Sequence, residues 1–194
     1  SKLVNRMKKL RIGDPLDKSI DMGAINSQAQ LDRIKSMLSS CAPSKITTAE
    51  TTMPDDGYYH PPTLIRNVEA SDTLMQEEIF GPVLVSTTFR TPSEAVALAN
   101  NTRYGLAASV WSENINLALG MAPKLKAGVV WVNGTNFFDA GAGFGGTKES
   151  GFGREGGWEG LMAYTRPVNV PKEPADYSTK KTTPNRAASI NRTY

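Results

Sequence analysis

Apolar runs and amphipathic stretches alternate along the middle of the chain. Short apolar runs at 83–89, 106–112 and 128–133 predict strands that are buried on both faces. Between them, residues 92–101 and 114–125 carry apolar positions at helical spacing. Strands that alternate with helices in this way indicate βαβ units, whose strands are parallel. We therefore predict an α/β fold with a mainly parallel twisted sheet flanked by helices.

The residues before this region predict two amphipathic helices. The first ends at Gly13, and its apolar face consists of Leu3, Val4, Met7 and Leu10. Ser27 is a suitable N-cap for the second helix, which Pro43 closes. The apolar stripe of this second helix consists of Leu31, Ile34, Met37 and Leu38.

Shorter elements follow these helices. The polar, Thr-rich stretch at 46–59 is typical of a loop. Residues 63–68 predict a strand, and residues 71–78 predict a helical turn. The later helix at 92–101 begins after Thr91 or at Ser93, since either hydroxyl can cap its N-terminus.

The chain divides into a folded part, residues 1–170, and a basic tail, residues 171–194. The tail is rich in Pro, Lys and Thr and poor in large apolar residues, which is typical of a linker or arm. It holds five Lys or Arg residues against two Asp or Glu residues, and so it carries the whole formal net charge of +3. The charge-balanced remainder lacks the clustered basic face of nucleic-acid-binding proteins, and we expect no nucleic-acid partner.

Composition and cysteine usage bear on the cellular compartment. The sequence has no apolar run of transmembrane length and no signal-peptide pattern, so we expect no membrane association. The single cysteine, Cys41, cannot form an internal disulfide, which suits a reducing compartment, and we expect a cytoplasmic protein. Because the chain starts at Ser1 and enters an amphipathic pattern at once, we expect a processed protein or a piece of a longer one, with its sheet incomplete at the N-terminal side.

The glycine-rich segment 141–157 contains two matches to G-x-G-x-x-G, which begin at Gly141 and Gly151. A dinucleotide-binding fingerprint has a strand directly before it and a helix directly after it, because the pyrophosphate rests on the helix N-terminus. The predicted strand before Gly141 ends near Asn133, no strand leads into Gly151, and we expect no helix after either match. We favour an ordered loop whose glycines supply positive φ angles and allow close backbone approach.

Other residues with chemical potential stand alone in the sequence. His60 precedes two prolines, which favours a packing or surface role. Cys41 lies at a helix end and is a poor candidate nucleophile, and one Cys with one His cannot form a zinc site, so we expect no metal. Glu77 and Glu78 precede a Gly-Pro turn, where a carboxylate can accept the hydrogen bonds of a ribose diol. Taken alone, these two residues favour the simpler interpretation, the exposed end of a helical turn.

Six motifs, in this order, resemble the aldehyde dehydrogenase superfamily. They are RIGDPLD at 11–17, GYYHPPTLI at 57–65, MQEEIFGPV at 75–83, ANNTRYGLAASVWS at 99–112, AGVVWVN at 127–133 and FGGTKESGFGREGGWEGLMAYT at 144–165. The resemblance extends from about residue 3 to residue 170. It implies most of the catalytic domain of such an enzyme.

The resemblance also implies a cofactor site for NAD or NADP. Glu78 matches the glutamate that holds the nicotinamide ribose hydroxyls, and Phe80 matches the aromatic residue packed near the nicotinamide ring. Gln30 and Arg33 fall where the family places further cofactor contacts. The family does not use a G-x-G-x-x-G loop for NAD, which agrees with the interpretation of the glycine-rich segment as an ordered loop.

A substrate site and an assembly surface are implied as well. The residues that match the lining of the aldehyde tunnel are Asn136, Phe138 and Phe144. Residues 161–170 match the C-terminal strand used in subunit association, and we expect a homo-oligomer, a dimer or tetramer, formed through that strand. Gly143 stands where many members have Pro, so the tunnel shape differs at this point.

In the family, a cysteine thiolate attacks the aldehyde to form a thiohemiacetal, hydride passes to NAD(P), and a glutamate activates water to release the carboxylic acid. Those catalytic residues and the cofactor-binding domain lie N-terminal to the matched segment, and Cys41 is not at the nucleophile position. We therefore expect no catalytic residue in this chain, which alone would be inactive, and we expect the remainder of the same polypeptide as its partner.

One alternative function remains open. The basic tail after Pro171 outlasts the usual end of the family and resembles the members with two modules in tandem, family sixteen, some of which are thought to lack activity. The alternative is a non-catalytic scaffold or interaction protein with an aldehyde-dehydrogenase-like fold.

Overall fold

The computed structural model describes residues 2–166 and residue 168. The helices in this part of the chain are α1 (Lys2–Met7), α2 (Gln28–Ser39), α3 (Thr73–Gln76), α4 (Pro92–Asn100), α5 (Ile115–Met121) and α6 (Gly157–Ala163). The strands are β1 (Ile46–Thr48), β2 (Thr63–Ile65), β3 (Val83–Val85), β4 (Ala107–Val110) and β5 (Val129–Val132). Short 3-10 turns occur at Pro43–Lys45, Ala122–Lys124 and Lys148–Ser150.

The strands form two small sheets that are mainly parallel. In the first sheet the order is β1-β2-β3, with β1 antiparallel to β2 and β2 parallel to β3. In the second sheet β4 and β5 pair in parallel. The α/β fold and the mainly parallel pairing predicted from the sequence are therefore confirmed.

Strand β1 corrects one prediction. Its residues lie in the Thr-rich stretch that the sequence predicted to be a loop, yet Ile46 pairs with Ile65 and Thr48 pairs with Thr63. The β-branched residues Ile46 and Thr47 suit an extended, half-buried edge strand, and this preference outweighs the polar composition of the segment. The loop prediction was wrong for Ile46–Thr48.

The main hydrophobic core lies between α2 and the first sheet. Its buried side chains are Ile34, Ile65, Val68, Leu74 and Ile79. Every residue of β2 is buried, whereas β3, β4 and β5 are partly exposed, so the two-sided burial predicted for the runs at 83–89, 106–112 and 128–133 was wrong for the described residues. Each buried aliphatic side chain contributes about 1.5–3 kcal/mol of transfer free energy, and this core is what fixes α2 over the sheet.

Helix ends follow the local chemistry of their residues. The Ser27 hydroxyl accepts a hydrogen bond from the Gln30 N–H at 3.2 Å, as predicted, and Thr91 rather than Ser93 caps α4. Pro123 has no N–H to donate, and α5 gives way to the 3-10 turn Ala122–Lys124 where the sequence predicted helix through residue 125. Helix α1 ends at Met7, three residues before Leu10, the last residue of its predicted apolar face.

The C-terminal region differs from the sequence expectation. Helix α6 spans Gly157–Ala163, so residues 161–163 close a helix instead of opening the predicted association strand. Residues 164–166 form no strand either. Among residues 161–170, residues 167, 169 and 170 lie outside the described residues, as does the predicted basic tail at 171–194.

Candidate cofactor and substrate site

The predicted cofactor segment is the turn that joins α3 to β3. Asp72 caps α3 by accepting the Leu74 N–H at 2.9 Å, and the backbone becomes extended at Glu77. Phe80 then adopts a left-handed conformation with φ of 56°. A bulky residue in this region is strained, and such strain persists only where the surroundings hold the backbone in place.

Two side chains of α2 hold this turn. The Gln30 amide donates to the carbonyl oxygens of Ile79 at 2.9 Å and Phe80 at 3.2 Å. The Arg33 guanidinium donates to the Glu78 carbonyl oxygen at 2.7 Å. The structure therefore brings together the four residues that the resemblance assigned to the cofactor, with Gln30 and Arg33 bonded to the backbone of the other two.

The two adjacent carboxylates have different surroundings. Glu77 forms an ion pair with Arg103, whose guanidinium nitrogen lies 2.6 Å from the carboxylate oxygen. Glu78 is exposed, and its carboxylate has no hydrogen bond or ion pair within the part of the chain that the structure describes. The ring of Phe80 is 66% exposed. Glu78 and Phe80, whose side chains are exposed, are thus the two residues predicted to contact the ribose and the nicotinamide ring.

A cleft opens beside these side chains. It has a volume of about 520 Å³, and its walls include Leu74, Glu78, Ile79, Phe80 and Val83. The cleft also includes two carboxylates, Glu77, which is paired with Arg103, and Glu78, which can accept the hydroxyls of a diol beside a flat ring.

The predicted tunnel residues form a separate aromatic cluster. The rings of Phe138 and Phe144 meet edge to face with centroids 5.0 Å apart, and Trp131 of β5 meets Phe138 in the same way at 5.9 Å. The Trp131 indole N–H donates to the Phe137 carbonyl oxygen at 2.9 Å, which holds the loop against the strand. Asn136 is exposed in this loop and has a φ of 55°.

Trp131 was missed by the sequence analysis. It lies inside the apolar run that predicts β5, and nothing in that run separates a ring that lines a site from a ring that fills a core. No hydrogen bond, ion pair or ring contact directly joins this aromatic cluster to Glu78 or Phe80 among residues 2–166. The structure thus shows two groups of predicted site residues, one on each sheet.

The glycine-rich segment is a closed loop rather than a phosphate cradle. Phe144 and Glu155 exchange two backbone hydrogen bonds, of 2.7 and 2.8 Å, which join the two ends of the loop. The Arg154 guanidinium lies inside it and donates to the Gly146 carbonyl oxygen at 2.7 Å. A Cβ on Gly145 would overlap the Gly153 carbonyl oxygen, so the glycines provide the close backbone approach that was predicted.

One expectation for this segment was wrong. Helix α6 begins at Gly157, directly after the second glycine motif, although the sequence predicted no helix there. Gly156 and Gly157 have φ angles of 66° and 58°, and this glycine turn starts the helix without a side-chain cap. No strand leads into the motif, and the helix has only seven residues, so the fingerprint context remains incomplete.

The two isolated candidates for chemistry are packed into the fold. His60 is 7% exposed, and its Nδ1 lies 2.8 Å from the Pro61 carbonyl oxygen. Burial lowers the pKa of His60, more than the hydrogen bond to Pro61 raises it, and this favours the neutral ring. Cys41 packs against the main core, with its sulfur facing the Ala42 carbonyl oxygen at 3.7 Å.

Searches for metal sites and membrane spans gave no candidates. Within residues 2–166 and 168, no group of three or more His, Cys, Asp or Glu side chains could hold a metal ion. In the same residues, no helix has the length and apolar character needed to cross a membrane.

Comparisons with known proteins identify the family of the chain. The aldehyde dehydrogenase family model matches residues 1–170. An aldehyde dehydrogenase of Agaricus bisporus is 39% identical over 166 residues, which cover 84% of this chain and 33% of that protein. Aldehyde dehydrogenase B of Escherichia coli is 42% identical over 162 residues, which cover 78% of this chain and 31% of that protein.

Solved structures show the same similarity. A crystal structure of betaine aldehyde dehydrogenase from Staphylococcus aureus in complex with NAD+ matches with a TM-score of 0.74 and 36% sequence identity, over 89% of this chain and 38% of that chain. The fold is thus that of an aldehyde dehydrogenase catalytic domain. The chain belongs to the aldehyde dehydrogenase family. It spans about a third of the length of the curated relatives it matches.

Proposed function

We propose that residues 1–170 form part of the catalytic domain of an NAD-dependent aldehyde dehydrogenase, which oxidises an aldehyde to a carboxylic acid. One observation carries the proposal. Of two adjacent carboxylates, Glu77 is engaged by Arg103, whereas Glu78 is exposed at a cleft of about 520 Å³ with no partner in the described chain. A carboxylate held in place by its backbone, yet free at its oxygens, is suited to bind a ligand.

The residues present fit a nicotinamide nucleoside. The two oxygens of Glu78 can accept hydrogen bonds from both hydroxyls of a ribose, and the exposed ring of Phe80 offers a face to a flat heterocycle. Gln30 and Arg33 orient these two side chains through their carbonyl oxygens. When bound, NAD+ accepts the hydride that leaves the substrate.

NAD rather than NADP is the cofactor favoured by the similarity to the NAD+ complex from Staphylococcus aureus. The role of Glu78 would be the same for either nucleotide, because both carry this ribose diol. An assay with NAD+ and with NADP+ shows which of the two nucleotides is the cofactor.

On the substrate side, we propose that Asn136, Phe138 and Phe144 line the aldehyde tunnel. The edge-to-face contact of the two phenylalanine rings makes a firm apolar wall, and Trp131 extends it. Such a wall excludes water from the reacting aldehyde. Asn136, exposed next to it, supplies a polar group at the edge of that wall.

The nucleophile is proposed to come from other residues of the same polypeptide. The thiohemiacetal of the proposed reaction needs a thiolate that the substrate can reach. Cys41 packs against the main core just after the end of α2 and has no part in the aromatic cluster of the loop after β5. This chain would then supply cofactor orientation and the substrate wall, while residues outside it supply the thiolate and the glutamate that activates water.

We further propose a cytoplasmic homo-oligomer, a dimer or tetramer. Large apolar side chains are exposed on both sheets and their helices, including Leu84, Leu106, Trp111 and Trp158. Contiguous exposed apolar surface marks interaction sites. We propose that the remainder of the polypeptide and a second subunit cover these side chains.

Substitution of Glu78 tests the function. In the complete natural polypeptide that contains these residues, we expect NADH formation that depends on an aldehyde. Glu78→Gln should raise the KM for NAD+ by about tenfold, because losing one charge-assisted hydrogen bond costs about 1.5 kcal/mol. Glu69→Gln is a matched control, since Glu69 is also exposed but lies outside the cleft.

Two outcomes would count against the proposal. If Glu78→Gln and Glu69→Gln change the KM for NAD+ equally, Glu78 does not hold the ribose. If the complete polypeptide produces no NADH with any of a panel of aliphatic and aromatic aldehydes, the enzyme proposal fails and the scaffold alternative gains support.

A further inference from the structure

The connection between α4 and β4, residues 101–106, touches the turn that carries the cofactor residues. The Gln76 amide donates to the Asn101 carbonyl oxygen at 2.9 Å. The Arg103 guanidinium pairs with Glu77 at 2.6 Å, one residue before Glu78. The side chain of Arg103 therefore holds the start of the turn between α3 and β3, next to the Glu78 carbonyl oxygen that Arg33 of α2 binds.

The same connection also touches the glycine-rich loop. The Arg103 Nε lies 3.3 Å from the Glu149 carboxylate, and the Glu149 N–H donates to the Arg103 carbonyl oxygen at 3.1 Å. The Gly105 N–H donates to the Ser150 hydroxyl oxygen at 3.0 Å. A Cβ on Gly105 would lie 2.5 Å from the Thr147 hydroxyl oxygen, so the connection and the loop are in close contact.

Glu149, which Arg103 holds, lies in the same glycine-rich loop as Phe144. Lys148 has a left-handed backbone with φ of 54°, and its amine donates to the Thr102 carbonyl oxygen at 2.9 Å. Phe144 starts the loop and is bonded to Glu155 at its end. Glu149 and Phe144 therefore lie in one short segment that main-chain hydrogen bonds close.

We propose that Arg103 is a positioning residue that couples the cofactor turn to the substrate loop, because one guanidinium pairs with both Glu77 and Glu149. This inference rests on the proposed function. Arginine suits the role because its planar fork presents several donors in fixed directions. Tyr104 restrains the side chain, with its hydroxyl 3.0 Å from the guanidinium and its ring centroid 5.1 Å from Cζ. A ligand that orders Glu78 then also orders the loop, and cofactor binding raises the affinity for the aldehyde.

An ordinary surface ion pair would not couple two sites. Exposed pairs contribute little on average, and Arg90 with Glu94 is an example on the first turn of α4. Arg90 pairs with one carboxylate four residues away, whereas Arg103 joins two segments that are distant in sequence. Arg90→Gln is therefore the matched control for the loss of an exposed, paired guanidinium.

The experiment compares KM values in the complete natural polypeptide. Arg103→Gln should raise the KM for NAD+ and the KM for the aldehyde by about fivefold each, the low end of typical coupling factors. Because the coupling is reciprocal, Glu77→Gln and Glu149→Gln, which each remove one of the two ion pairs, should also raise both KM values. Arg103→Lys should rescue only part of the effect, because an ammonium group lacks the fork that holds two carboxylates at once.

Two measurements do not depend on turnover. Calorimetry should show weaker NAD+ binding for Arg103→Gln than for the unaltered protein. Hydrogen exchange should show that NAD+ slows the amides of residues 144–151 in the unaltered protein and in Arg90→Gln but not in Arg103→Gln.

The outcomes separate this inference from the proposed function. If the unaltered protein forms NADH or binds NAD+ while Arg103→Gln behaves like Arg90→Gln, the inference alone is overturned. The same holds if Arg103→Gln, Glu77→Gln and Glu149→Gln lower only kcat, as a general loss of folded protein would. If the unaltered protein neither forms NADH nor binds NAD+, the proposed function fails and the coupling fails with it.

Discussion

At the scale of single residues, different side chains hold the turn between α3 and β3 and face the proposed ligand. Gln30 and Arg33 bind the carbonyl oxygens of the turn, which leaves the side chains of Glu78 and Phe80 exposed. The left-handed backbone of Phe80 costs free energy that these hydrogen bonds offset. The turn is thus ordered before any ligand arrives, and such preorganisation reduces the entropy lost on binding.

His60 leads to a prediction about stability and pH. Burial lowers the pKa of His60 in the folded state, while the unfolded chain titrates near the ordinary value of about 6.5. Below that pH the unfolded state binds more protons, so the free energy of unfolding should fall as the pH drops through about 6.5 and should level off below the folded pKa. Urea denaturation at a series of pH values measures this.

The control for this prediction is His60→Asn, which keeps a polar side chain that does not titrate. We expect the difference in unfolding free energy between the two proteins to change with pH between about 7.5 and 5, where carboxylates are already ionised. A difference that stays constant over this window would show that His60 titrates alike in both states.

Sequence alone predicts only some of the site at this scale. The type and position of Glu78 and Phe80 are recognisable because they lie in a short ordered motif. The ion pairs of Arg103 are not recognisable in the sequence. Glu77 lies 26 positions before Arg103, and Glu149 lies 46 positions after it. No local pattern encodes such a distant pairing.

At the scale of secondary structure, local chemistry explains where the predictions succeeded. Ser27 and Thr91 accept backbone N–H groups at the starts of α2 and α4, and each such cap stabilises its helix by about 1 kcal/mol. The errors occurred where a polar segment with β-branched residues pairs with a strand distant in the chain, as in β1, or where a glycine turn starts a helix without a cap, as in α6.

The glycine-rich loop provides a prediction at this scale. Gly145→Ala should destabilise the protein by about 1–3 kcal/mol, because its new Cβ would overlap the Gly153 carbonyl oxygen and the backbone must shift. Gly153→Ala is the matched control, since a Cβ there meets nothing within 4 Å. It should be neutral or stabilise by up to about 1 kcal/mol through a less flexible unfolded chain.

Urea midpoints of the two variants decide this prediction. Equal midpoints would mean that the loop yields to a Cβ at no cost, and that the close approach of its two arms is not needed for stability.

At the scale of the whole molecule, the two small sheets differ in how well they are covered. The first sheet has a buried core under α2, whereas the second exposes Leu106 and Trp111 beside β4. The mainly parallel α/β class follows from the alternation of apolar runs and helical segments in the sequence. The division into two sheets does not follow, because strand pairing depends on contacts between distant segments.

The proposed division of catalytic groups predicts the behaviour of the 194 residues alone. We expect no aldehyde-dependent NADH formation from them, since Cys41 is packed against the core. We also expect a broad thermal transition, because the exposed apolar side chains of the second sheet lack cover in the described chain. Calorimetry and an NADH assay test both points, and aldehyde-dependent NADH formation that Glu78→Gln abolishes would contradict the first.

The closure of the glycine-rich loop has a consequence for evolution and engineering. Residues 134–143 run between β5, which is paired with β4, and the backbone bonds of Phe144 with Glu155, so both ends of this stretch are anchored by main-chain atoms. Its side chains can therefore vary in size and polarity without moving their own supports. Under the proposed function, two of the proposed tunnel residues lie in this stretch, and exchange of its ten positions between relatives should change the aldehyde preference.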